Sequence, residues 1–105
     1  MMKLKMHPRQ ANTKRMLCND VRRELRWSYK DQSIRNIVEL VGKIQRYSEE
    51  NKSYKAQRTS VALNQYARVL NKYRNEKCLI DEIKISSISL LNLIRDWELS
   101  TETHR

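Results

Sequence analysis

Few side chains in this 105-residue chain are equipped for covalent or metal chemistry, and their placement suits them poorly for it. The two histidines, His7 and His104, fall in stretches that read as tails, where no rigid shell would hold a catalytic geometry. No HxxxH, HExxH or CxxC spacing is present, so no zinc or other metal site is indicated. The two cysteines, Cys18 and Cys78, read as buried or half-buried thiols in a reducing compartment. Carboxylates are paired at Glu49/Glu50, Asp81/Glu82 and Asp96/Glu98. Neighbours one or two apart on a helix do not face each other, so none of these forms an acid–base pair. A solvated helical surface accounts for them. The expectation is a protein without catalytic activity, metal or cofactor.

Binding chemistry is better represented. Lys and Arg number 22 against 12 Asp and Glu, a net charge of +10. Residues 1–30 hold nine basic and two acidic side chains, residues 31–77 ten and five, and residues 78–105 three and five. A basic front and a mildly acidic back would make the molecule an electrostatic dipole. Such an excess steers polyanions and favours release of counterions from their phosphates. The densest cluster runs from Arg22 to Lys30, where Arg22, Arg23, Arg26 and Lys30 accompany Trp27 and Tyr29. On a helix, Arg15, Arg22 and Arg26 fall within roughly 60° of one another. Their guanidinium forks could meet successive phosphates, and an aromatic beside them could stack on an unpaired base. The predicted contact set is Lys14, Arg15, Arg22, Arg23, Arg26, Trp27 and Lys30, helped by Lys43, Arg46 and Arg58 if those share the same side. The competing reading for the arginines is a helix with its charged side in water, and for Trp27 a place at one end of the core.

The elements that must position these residues read as helices. A single Gly (Gly42), a single Pro (Pro8) and no Asn-Gly turn exclude an all-β sandwich and a glycine-rich phosphate loop. The pattern predicts a small all-α bundle of about four helices: a flexible basic arm over residues 1–8, one helical domain over 9–99 and a disordered tail over 100–105. The first helix, about Arg9 to Tyr29, turns Leu17, Cys18, Val21 and Leu25 inward. Asp31 or Ser33 caps the second, which shows a stripe of Ile34, Ile37, Val38, Val41 and Ile44 to about Tyr47, widened by Leu40 and Tyr47. Gly42 lies inside it, and a close helix–helix crossing is the simplest reason to tolerate it. The polar stretch from Ser48 to Ser60 contains a break around Asn51–Ser53. The third helix then starts at Thr59 or Ser60 and runs to about Lys77, with Leu63, Tyr66, Ala67, Leu70 and Tyr73 inward. The last, Leu79 to about Leu99, has a stripe of Ile80, Ile83, Ser87, Ile88, Leu91 and Ile94, and is apolar on other sides too. Ile83 to Leu90 also alternates in part like a strand.

Two function classes lead. One is a non-catalytic nucleic-acid-binding regulator or accessory protein, contacting DNA or RNA phosphates through the first helix. The other is a helical adaptor or inhibitor whose basic face docks on an acidic protein. The apolar last helix predicts self-association, most simply a homodimer, through Ile85, Leu90, Leu93 and Trp97. A helix-turn-helix would present Asn64, Gln65 and Arg68 to bases, but thirteen polar residues before it are too long for the turn. The first helix's apolar stripe is too narrow to favour a membrane surface. No run approaches the length needed to span a bilayer, and no secretory h-region opens the sequence. The expected location is intracellular, cytoplasmic or nucleoid/nuclear, with mitochondrial import the lesser alternative.

Overall fold

The computed structural model describes residues 8–26, 31–73 and 80–101. They form four helices, α1 (Pro8–Arg26), α2 (Asp31–Asn51), α3 (Tyr54–Tyr73) and α4 (Ile80–Leu99), with no strand among the described residues. The ambiguous segment from Ile83 to Leu90 is helix. Each helix packs on the next and α4 closes back on α1, so the four stand at the corners of a square. α1 and α3 occupy one diagonal, α2 and α4 the other.

All four contribute to one core. Leu17, Cys18 and Val21 enter from α1; Ile37, Leu40, Ile44 and Tyr47 from α2; Leu63, Tyr66 and Leu70 from α3; Ile83, Leu90, Ile94 and Trp97 from α4. Trp97 is 1% exposed and meets the Tyr47 ring edge-on, with centroids 5.4 Å apart. The α1 and α3 stripes match expectation at every described side chain. In α2 the stripe is as expected, with Leu40 and Tyr47 buried beside Ile37 and Ile44, except that Val38 is half exposed. The α4 stripe is rotated: Leu90 and Trp97 take the core, and Ile88 and Leu91 face out. α4 has apolar residues on most sides, so periodicity alone leaves its inward side undetermined.

The break lies where expected, but α3 starts five residues earlier than Thr59. Lys52 adopts the left-handed conformation (φ 51°), and the Ser53 amide donates to the Ser48 carbonyl at 3.0 Å, a Schellman closure of α2. The Ser53 hydroxyl then accepts from the Ala56 amide at 3.1 Å and caps α3. The polar stretch is therefore helical and packed. Ser48, Ser53, Ala56, Thr59 and Ser60 are all buried. The Ser48, Thr59 and Ser60 hydroxyls donate to carbonyls three or four residues back (2.7–2.8 Å), which removes the penalty for burying them. Small side chains let α2 and α3 approach closely, and that approach replaces the large aliphatics whose absence suggested a loop.

Two local expectations are corrected. Ser33 lies inside α2 rather than capping it, and its hydroxyl donates to the Glu24 carboxylate of α1 at 2.8 Å. Asn36 donates to the same carboxylate at 3.2 Å, tying α1 to α2. Gly42 answers no crossing: an added Cβ would meet only the end of the Arg46 side chain, at 4.0 Å. Pro8 opens α1, a first-turn position where its missing N–H costs nothing. Residues 1–7, 27–30, 74–79 and 102–105 lie outside the described ones, and with them the rest of the arm, the end of the tail, Trp27, Tyr29, Lys30 and Cys78.

Candidate nucleic-acid interface

α1 lies between α2 and α4, so its Leu17–Val21 side is inward and its opposite side faces water. The cations of that helix have divergent fates. Lys14 is half-buried, and its ammonium donates to the Trp97 and Ser100 carbonyls at 3.3 and 3.1 Å. It thereby satisfies the open C-terminal carbonyls of α4, where a positive charge is favoured. Arg22 forms an ion pair with Glu98 of α4 and also donates to Asn19. The hydrogen bond from Arg22 holds the Glu98 carboxyl below the usual glutamate range, and the same bond raises the Arg22 pKa. Arg23 pairs with Asp20 one turn back at 2.5 Å, though 62% of its side chain remains exposed. Arg15 is exposed and donates to Asn12 at 2.8 Å; Arg26 is exposed.

The expected contact set therefore does not assemble as one unencumbered ridge. Lys14 and Arg22 serve the α1–α4 junction. Arg46 shares a groove with Met16 and Asp20 of α1, so it does stand beside that helix, but Glu50 lines the groove too. Arg58 lies on α3, across the diagonal from α1, and cannot join it. Among the residues expected at a dimer interface, Leu90 and Trp97 are core and Leu93 is half-buried beside α3; only Ile85, 65% exposed, faces out. Periodicity ranked these positions by hydrophobicity, whereas packing chose by side of the helix.

α3 presents a different surface. It holds Lys55, Arg58, Arg68 and Lys72 and no Asp or Glu along its twenty residues. Its outer face carries two interleaved rows at seven-residue spacing: Tyr54, Val61 and Arg68, and Arg58, Gln65 and Lys72. All six are exposed, as are Gln57 and Asn64. Arg58 lies over the Tyr54 ring at 5.8 Å. Among the described residues, no carboxylate pairs with Arg58 or Arg68; Lys55 pairs with Asp96 at 3.3 Å. Open grooves of about 510 and 400 Å³ flank α3 on the α2 and α4 sides, so the helix stands as a ridge between them. Asn64, Gln65 and Arg68 point outward as the helix-turn-helix reading required. The motif itself is not formed, because Val41 and Asn64, each about ten residues from the turn, line one groove and the two long helices lie side by side. The absence of carboxylates between Tyr54 and Tyr73 was visible in the sequence. The density of arginines in α1 outweighed it.

The described residues hold no group of His, Cys, Asp and Glu fit for a metal ion. Burial pushes the Cys18 thiol up to about 12, with Glu98 adding to the effect, so it stays protonated and unreactive in the folded chain. No described helix is long and apolar enough to cross a membrane. Comparison with protein families, characterised proteins and solved structures found no match to this chain.

Proposed function

We propose that this chain is a non-catalytic nucleic-acid-binding module, acting inside the cell, whose principal contact is the outer face of α3. One observation carries the reading: a twenty-residue helix with four basic and no acidic residues projects Arg58 and Arg68 into solvent without a carboxylate partner among the described residues. A cation that must first leave an internal partner gains less from a phosphate than one already exposed. Gln57, Asn64 and Gln65 are exposed beside Arg58 and Arg68, Asn64 toward the α2 groove and Gln65 toward the α4 groove, and can hydrogen-bond phosphates or base edges. A helix about 10–12 Å across, with a groove on either side, has the width to approach a duplex major groove. The exposed α1 arginines, Arg15, Arg23 and Arg26, form a weaker second surface.

The test is a salt-titrated binding assay against duplex DNA, single-stranded DNA and structured RNA. Replacing Arg58 and Arg68 together by Gln should flatten the log K against log salt slope by about two and weaken binding more than tenfold at low salt. Circular dichroism should show unchanged helix content. Equal binding by parent and variant to all three nucleic acids would overturn the proposal.

A second reading, docking on a protein, is favoured by the outward face of α4. Ile85, Ile88 and Leu99 are 60–70% exposed there and Leu91 is 36% exposed. A second copy in a two-fold dimer would cover this row, which keeps Ile85 of the four residues expected from sequence and replaces the other three. Sedimentation with and without an oligonucleotide separates the readings.

A further inference from the structure

The four helices alternate in charge around the square. α1 has six basic and two acidic residues, α2 three and four, α3 four and none, and α4 two and four. The basic helices share one diagonal because each packs on α2 and α4. Their outer faces therefore point in opposite directions, and the simple dipole expected from sequence becomes an alternating pattern around the bundle axis. With neighbouring axes 8–10 Å apart and helices 10–12 Å across, the two basic edges lie roughly 25 Å apart. The faces between them are mixed in charge and not continuously basic: Glu39, Glu49 and Glu50 are exposed on α2 among Arg35, Lys43 and Arg46, and Asp96 is exposed on α4, which also carries Lys84 and Arg95, and pairs with Lys55. A phosphate backbone following the surface from α3 to α1 would meet those carboxylates.

From this arrangement, and resting on the nucleic-acid reading above, we infer that one molecule holds two separate nucleic-acid segments, one on α3 and one on α1, and so bridges them. The two faces are unequal. α3 offers Arg58 and Arg68 with no carboxylate to displace among the described residues. α1 offers Arg15 and Arg26 outright and Arg23 through its exposed pair with Asp20, while Lys14 and Arg22 stay committed to α4. The α3 face fills first, and the α1 face captures the second segment at higher protein-bound duplex concentration. Because each site depends on released counterions, bridging is more sensitive to salt than binding of one segment.

The experiment uses the full chain, one immobilised 30-base-pair duplex and a second, fluorescent duplex of the same length in solution. The parent should retain the fluorescent duplex on the immobilised one. An Arg15→Gln/Arg26→Gln variant should bind a single duplex within about threefold of the parent, yet retain at least tenfold less of the second. An Ile88→Glu/Leu99→Glu variant, altered only at exposed α4 positions, should bridge as the parent does. If the parent binds one duplex and never retains a second, or the α1 variant bridges undiminished, the inference fails and the single-site reading stands. If only the α4 variant loses bridging, two copies each use one face, and the inference again fails. If the parent binds no duplex at all, the underlying reading falls and this one with it.

Discussion

α1 has six basic residues and α3 four, yet α3 is the better candidate for meeting a polyanion. The difference lies in what surrounds the charges. α1 enters the core through Leu17, Cys18 and Val21 and is otherwise held by polar ties. These are Lys14 on the α4 carbonyls, Arg22 on Glu98, and Glu24 accepting from Ser33 and Asn36. α3 is anchored by Leu63, Tyr66, Leu70 and a run of small buried residues; Lys55 adds a tie to Asp96 of α4, while Arg58 and Arg68 have no carboxylate partner among the described residues. A count of charges per segment misses this. Cations that fasten a helix are poorly available to a ligand, and exposed cations on a helix fastened mainly by apolar packing are more available.

That contrast can be broken or sharpened by mutation. The largest effect should come from Leu63→Ala in α3, which empties a fully buried site and should lower stability by about 2–5 kcal/mol in urea denaturation. Lys14→Met should cost about 1–2 kcal/mol, because it strips two buried-side hydrogen bonds from the α4 terminus. Arg68→Gln, by contrast, should stay within about 0.5 kcal/mol of the parent. Equal costs for Lys14→Met and Arg68→Gln would erase the distinction between the helices. Alkylation of Cys18, followed by mass spectrometry, reports the same opening of α1: the buried thiol should react slowly in the parent and faster in Lys14→Met.

Acid should act on α1 through Glu98. Its carboxyl is held below the ordinary value of 4.5 by Arg22, so the pair's stabilisation is fully present above that pH and is lost as pH falls through the lowered folded value. Denaturation midpoints of the parent should therefore fall on acidification below about pH 4.5, and Glu98→Gln should flatten that part of the profile. The smallest change expected is a gain. Gly42→Ala, with room for the methyl group, should raise stability by up to about 1 kcal/mol in thermal melts and supply a firmer background for testing both faces.

The fold class was legible in the sequence because the 3.6-residue period is a local property that survives any arrangement of partners. It placed Leu17, Cys18 and Val21 inward on α1 and Leu63, Tyr66 and Leu70 inward on α3. It failed over residues 54–58, since a helix packed through Ser53, Ala56, Thr59 and Ser60 has no large aliphatic stripe to detect. It also failed for Leu90 and Trp97, which lie on a helix apolar on several sides. The basic character of the candidate interface was equally plain in composition, but its location was not.

Charge and helical periodicity are properties of residues and their near neighbours, and the chain's order of amino acids settles them. Which arginines bind inward and which remain outward depends on partners dozens of positions away. Glu98 reaches Arg22 and the last carbonyls of α4 reach Lys14 only once the fourth helix has folded back on the first. A hydrogen bond or close ion pair needs its partners within a few ångströms, so only the assembled bundle decides which of its positive charges are already answered.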